Sequence, residues 1–146
     1  MSQSNFTVKS FGAIRVAYPI REGASEFVPV NVSPTASSLT ATAVTVTAAQ
    51  VLKGLLVQTP GAALTLTLPS GLAFVAAISS IGNGVRVGDS FDFSYINSGV
   101  GTAAVTLAVD ATGSLVGSGA CAVASTTTFK FQLTNVTTGA HTVFRL

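Results

Sequence analysis

The run Arg86-Val87-Gly88-Asp89-Ser90-Phe91-Asp92-Phe93-Ser94-Tyr95-Ile96-Asn97 carries the clearest structural pattern in the chain. Its odd positions carry Val87, Phe91, Phe93 and Tyr95, and its even positions carry Ser90, Asp92 and Ser94. Such alternation puts one set of side chains on each face of a β-strand, one face dry and the other wet. Thr126 to Thr134 repeats the pattern, with Phe129, Phe131 and Leu133 against Thr128, Lys130, Gln132 and Thr134. Outward from these two, further strands are expected at Thr42–Thr47, Gly54–Gln58, Ala62–Leu68, Thr102–Val109, Ser114–Val116 and His141–Leu146, separated by Gly, Pro and Ser. The whole is an all-β chain of about eight strands, enough for a jelly-roll-like sandwich of two sheets. Its core is read as Leu64, Leu66, Leu68, Phe74, Phe91, Phe93, Phe129, Phe131 and Leu133.

One segment breaks the alternation. In Ser70 to Ile81, Leu72, Val75, Ile78 and Ile81 recur every three residues, Pro69-Ser70 offers a helix start and Gly82-Asn83-Gly84 a stop. A short helix is expected there, with Phe74 and Ile78 capping one end of the sandwich.

The N-terminal part has a different texture. Residues 1–38 hold five of the twelve charges and three of the five prolines, interspersed with Phe6, Phe11, Tyr18 and Phe27. This reads as an extended arm with one or two strands, at Ala13–Tyr18 and Glu26–Val30, or as two more strands of the sandwich. It is followed by a linker over Ser33–Ser38. The expected division is thus an arm, 1–38, and a sandwich domain, 39–146.

Composition narrows the chemistry. Of 146 residues, 48% are hydrophobic and only 8% charged, with seven basic and five acidic side chains. A typical soluble domain carries about 25% charged residues. The chain is too apolar to be disordered throughout, and its net charge of +2 is too small for it to neutralise many phosphates. No nucleic-acid partner is expected. The charge-free run from Lys53 to Arg86 could span a bilayer by length, but its Gly and Pro residues and its Leu/Thr alternation at 64–68 argue against a transmembrane helix. No secretory signal is visible at the N-terminus, and no membrane partner is expected. Polarity comes instead from Thr, Ser and Asn. Low charge lessens the repulsion that keeps proteins monomeric, which favours a chain packed against copies of itself.

Catalytic sets are scarce. Cys121 and His141 are the only candidates for a Cys–His pair, and the apolar run around Cys121 should raise its pKa. A small buried thiol and a surface or interface histidine are the expected roles. No Gly-x-Ser-x-Gly elbow is present. Asp89 and Asp92, three apart, point to opposite faces of a strand, and Asp110 sits in a turn. No enzyme activity, metal, cofactor or small-molecule substrate is expected.

Several pieces from Thr47 to Leu146 form a recognisable series. They are Gly54-Leu55-Leu56, Ala62-Ala63-Leu64-Thr65-Leu66-Thr67-Leu68-Pro69, Val87-Gly88-Asp89-Ser90-Phe91-Asp92-Phe93, and Phe129-Lys130-Phe131-Gln132-Leu133-Thr134-Asn135-Val136-Thr137. The series resembles small trimeric jelly-roll structural proteins, of cement or decoration type, from tailed phages and large DNA viruses. The resemblance implies a homotrimer on the outer surface of a virion capsid, with the major capsid protein as partner and a mechanical role in bridging shell subunits. It also implies that Asp89 closes the turn after Gly88. The arm residues Phe6, Lys9, Phe11, Arg15, Tyr18, Arg21 and Phe27 would then contact the capsid, the aromatic ones by burial and the cationic ones against acidic shell surface. A receptor-binding or fibre-tip module recognising a host-surface glycan is the alternative.

Overall fold

The computed structural model of the chain describes residues 6–11, 14–19, 34–81 and 84–146. Two strands, β1 (Phe6–Phe11) and β2 (Ile14–Pro19), pair antiparallel as a sheet of their own, with Lys9 opposite Val16 and Tyr18 opposite Thr7. The rest of the described chain is mostly β. In chain order it contains β3 (Thr35–Leu39), α1 (Ala48–Val51), β4 (Gly54–Gln58), β5 (Leu64–Thr67), α2 (Gly71–Ser80) and β6 (Ser90–Asn97). Then follow β7 (Val105–Ala108), β8 (Gly113–Val116), β9 (Ala120–Cys121), β10 (Ser125–Leu133) and β11 (His141–Arg145).

Six of these strands form one sheet in the order β3-β4-β6-β10-β11-β8, and three form a second in the order β5-β7-β9. The centre of the large sheet is the antiparallel pair β6–β10, in which Phe91 faces Phe131 and Phe93 faces Phe129. Cross-strand partners share a face, so the two alternating patterns bury the same side. Four pairings are parallel: β3–β4, β4–β6, β8–β11 and β5–β7. Both sheets and both helices feed one buried cluster, including Leu56, Phe93, Tyr95, Phe129 and Val143 from the large sheet, Leu66, Leu107 and Cys121 from the small one, and Val51 and Phe74 from the helices. Phe74 lies 4.5 Å from Phe131 and 5.4 Å from Phe91 between ring centroids. Tilted aromatic contacts of this kind stabilise beyond area burial alone.

The structure corrects the sequence reading at several points. The expected linker at 33–38 is strand from Thr35, so the large sheet begins inside the segment assigned to the arm rather than at residue 39. Small polar residues hid it. Ser37 is buried, and its hydroxyl donates to the Gln50 carbonyl at 3.2 Å. The expected strand 42–47 is reduced to one bridge, Thr45 to Thr67, because Thr47 caps α1. Thr47 and Gln50 form a reciprocal capping box, a T-x-x-Q signal present in the sequence. The short strand β9 was also unexpected. In the N-terminal part, a strand lies at Ile14–Pro19 as well as one at Phe6–Phe11, while the expected strand at 26–30 lies outside the described residues.

The helix at 71–80 forms where expected, with Ser70 as its N-cap and with Phe74 and Ile78 turned into the core as expected. Gly71, Phe74 and Ile78 are buried, whereas Leu72 is 47% and Ile81 67% exposed. A three-residue spacing drifts around an α-helix of 3.6 residues per turn, so 72, 75, 78 and 81 do not hold one face. Leu64, read as core, is half-buried because it opens an edge strand of the small sheet; it packs against the cluster from its rim. The other eight residues of the expected core are buried.

Candidate functional site

The turn before β6 positions the main strand. Asp89 accepts the Arg86 backbone N–H on its carboxylate at 2.8 Å and thereby closes the Arg86–Asp89 turn that contains Gly88. The Gly88 N–H donates to the Leu133 carbonyl and the Leu133 N–H to the Asp89 carbonyl, which locks β6 against the end of β10. From there Phe91, Phe93, Tyr95 and Asn97 point inward, and Asp92, Ser94 and Ile96 outward.

The inward polar residues are satisfied by specific partners. The Tyr95 hydroxyl donates to Gln58 Oε1 at 2.6 Å, and Gln58 Nε2 donates to the Thr40 and Ala43 carbonyls at 2.8 and 3.0 Å. Asn97 Nδ2 donates to the Ala103 and Cys121 carbonyls, and its Oδ1 accepts the Gly99 N–H. Buried side chains of this type cost free energy unless paired. Here they tie the 40–43 loop, the 98–103 loop and β9 to the large sheet. Burial, and to a lesser degree the nearby Cys121, pushes the Tyr95 hydroxyl above its ordinary pKa. Burial likewise pushes the Cys121 thiol up, against smaller opposing effects from a Thr127 hydrogen bond and the Arg145 charge.

His141 is not at the surface. It is 2% exposed, stacks on Phe131 at 4.8 Å and shares the inner face with Val143, while Phe144 points outward. The expected surface histidine is thus a buried one, on the same side of β11 as Val143 and opposite Phe144. Register decides this: Leu133 faces His141 and Phe131 faces Val143 across β10–β11. His141 Nδ1 contacts the Gly139 carbonyl at 2.9 Å, so that nitrogen carries the proton. Among the described residues Nε2 has no hydrogen-bond partner, and it lies 3.7 Å from Asp110 Oδ1. The space around the ring is shaped by glycines. A Cβ on Gly113 would collide with Nε2, and one on Gly71 with the Gly139 carbonyl. Gly139 itself adopts φ +72°, in the left-handed region that favours glycine. The Thr112 hydroxyl donates to Asp110, not to His141, so no nucleophile–base hydrogen bond forms in this cluster. The sequence analysis does not bring Asp110, Gly113 and His141 together; the parallel β8–β11 pairing, which sets His141 opposite Gly113, does so.

The outer face of the large sheet is the other candidate surface. It presents Leu55 and Val57 from β4, Ser94 and Ile96 from β6, Thr128 from β10 and Phe144 from β11. Ser94 and Thr128 face each other in register and their hydroxyls are hydrogen-bonded at 2.9 Å. Asp92 and Lys130 are likewise opposite and pair at 3.5 Å, both about half exposed. An exposed pair of this kind adds little stability.

Of the residues assigned to capsid contact, Phe6, Lys9, Phe11, Arg15 and Tyr18 fall on the β1–β2 pair, and Arg21 and Phe27 lie outside the described residues. Among the described residues, no three His, Cys, Asp or Glu side chains gather to hold a metal, and no helix is long and apolar enough to cross a membrane. Comparison with protein-family models, curated proteins and solved structures gave no match.

Proposed function

We propose that this chain is a structural protein of a virion. In this reading it is a cement or decoration protein that assembles as a homotrimer on the outside of a capsid and bridges subunits of the major capsid protein. The observation that carries the reading is the division of the strands. β3 to β11 make two sheets that share one core, while β1 and β2 make a sheet of their own. A packed body with a separate β-ribbon suits a protein that holds a lattice position with one part and reaches neighbouring subunits with the other.

The residue chemistry agrees with that division. The ribbon segments carry Phe6, Phe11 and Tyr18, which can bury area on a partner, and Lys9 and Arg15, which can pair with acidic groups there. The body offers Thr- and Ser-rich faces of low charge, suited to contact with other copies. We describe the body as jelly-roll-like in the packing of its two sheets; its four parallel pairings depart from an all-antiparallel wiring. The mechanism is mechanical: contacts made by one trimer to several shell subunits must break before those subunits separate.

The test is reconstitution. Capsids are assembled with and without the protein and heated until they release their contents. Bound protein is expected to raise the release temperature, and deletion of residues 1–33 to abolish that gain. Equal release temperatures with the full chain bound would refute the reading.

A further inference from the structure

We propose that Asp110 and His141 form an acid-closed clamp: on acidification His141 takes a proton from solvent at Nε2, and the imidazolium pairs with the Asp110 carboxylate. The device stands whichever way the virion reading falls. Its parts meet where β8 joins the large sheet. β8 is an edge strand, held through its parallel pairing with β11, which begins at Gly113 opposite His141. The turn before it is closed by the Gly113 N–H, which donates to the Asp110 carbonyl at 3.1 Å, and the His141 N–H donates to the Thr112 carbonyl at 3.3 Å. Nε2 lies against this turn. It is fully buried, 3.7 Å from Asp110 Oδ1 and without a hydrogen-bond partner among the described residues.

Two observations make the arrangement proton-sensitive. The Gly139 carbonyl at Nδ1 fixes the neutral ring as the Nδ1–H tautomer, so Nε2 turns a lone pair toward an ionised carboxylate, which also only accepts. While the ring is neutral the two groups cannot bond. A proton on Nε2 converts the contact into a charge-assisted hydrogen bond once the carboxylate closes the remaining distance. Burial opposes a charged imidazole, and an opposite charge within about 4–6 Å favours it. Asp110 supplies that charge, and its side chain is 24% exposed, which gives the proton a route from solvent to the buried nitrogen. The other charges on the packed elements are engaged elsewhere. α2, β8 and the 134–140 loop carry no ionisable side chain. On β10 Lys130 pairs with Asp92, and Arg145 of β11 donates to the Ser118 and Ala120 carbonyls. The Asp89 carboxylate holds the Arg86 N–H. Closing the pair draws the 110–113 turn onto β11 and fastens the edge strand.

The experiment is nitrogen NMR of the imidazole in the full chain from pH 8 to 5, which reads His141 without overlap because it is the sole histidine of the sequence. In the wild type Nδ1 is expected to carry the proton at pH 8, and both nitrogens at pH 5. Asp110→Asn keeps an acceptor for the Thr112 hydroxyl and removes the charge; its midpoint is expected about one pH unit lower. Amide exchange in β8, corrected for the intrinsic effect of pH, is expected to slow on acidification in the wild type and not in the variant. Urea unfolding of the variant has a definite sign. Burial then acts on the imidazole unopposed, so the folded variant binds the proton less tightly than the unfolded chain and loses stability as pH falls. Asp110→Ser, whose hydroxyl can also cap the turn, takes its place if the asparagine variant fails to fold. An Nε2 that stays unprotonated at pH 5 in the wild type, a midpoint unchanged by removing Asp110, or β8 exchange that ignores pH overturns the clamp.

Discussion

Removing one oxygen from Tyr95 should measurably loosen the body. Its hydroxyl is buried and donates to Gln58 Oε1 at 2.6 Å, and Gln58 in turn holds the Thr40 and Ala43 carbonyls. Tyr95→Phe keeps the ring and strands the Gln58 acceptor in the core. An acceptor left unpaired costs about 1–3 kcal/mol. For a domain of this size each kcal/mol lowers the melting temperature by about 4 °C, so the expected fall is about 4–12 °C. Gln58→Leu should cost more, because it abandons two carbonyls and the tyrosine hydroxyl together. Adding Tyr95→Phe to Gln58→Leu should then cost little further, giving a coupling of about 0.5–3 kcal/mol. The same contact sets an alkaline limit. The unfolded chain releases the phenolic proton near pH 10, and the folded chain holds it more tightly because the ring is buried. Stability from the neutral phenol is thus complete below about pH 10 and is lost as pH rises beyond it. Melts followed by circular dichroism from pH 7 to 11 should show the wild type falling more steeply at the alkaline end than Tyr95→Phe. A Tyr95→Phe melt within about 1 °C of wild type at pH 7 would refute the reasoning.

Three further outcomes are expected. Phe131→Ala, in the aromatic cluster, should cost about 3–5 kcal/mol in urea unfolding, whereas Phe144→Ala on the outer face of the adjacent strand should cost far less; equal losses would contradict the register of β11. Gly113→Ala should destabilise the fold by about 1–3 kcal/mol in urea unfolding through collision with the His141 ring, and His141→Ala should recover part of that loss in the double variant. Deleting residues 1–33 should leave the melting temperature of the body nearly unchanged, and deleting 1–39 should lower it by removing β3 from the sheet; similar melts for both deletions would place β3 outside the cooperative unit.

Much of the β-structure was legible because period-2 alternation is a local signal. Phe91, Phe93, Phe129, Phe131 and Leu133 could be assigned to a buried face from their own strands, and β4 and the helix at 71–80 from their flanking residues. The misses share a cause. Four of the five residues of β3 are Thr, Ala and Ser, and it becomes a strand through parallel pairing with β4, which its own residues do not encode. On the helix, Phe74 and Ile78 are buried as expected, whereas Leu72 and Ile81, which belong to the same three-residue series as Ile78, stay exposed.

A β-rich chain with few charges and aromatic strand centres is written in composition and nearest-neighbour spacing alone. Which side of β11 is dry follows from strand pairing instead. Hydrophobicity alone would bury Phe144, yet the strand is bound in register to β10, whose Phe131 and Leu133 already face the core. A one-residue shift would invert every side chain of the strand at once. His141 is therefore carried inside, where the absence of a Cβ at Gly113 leaves space for its ring, with Nε2 turned toward Asp110.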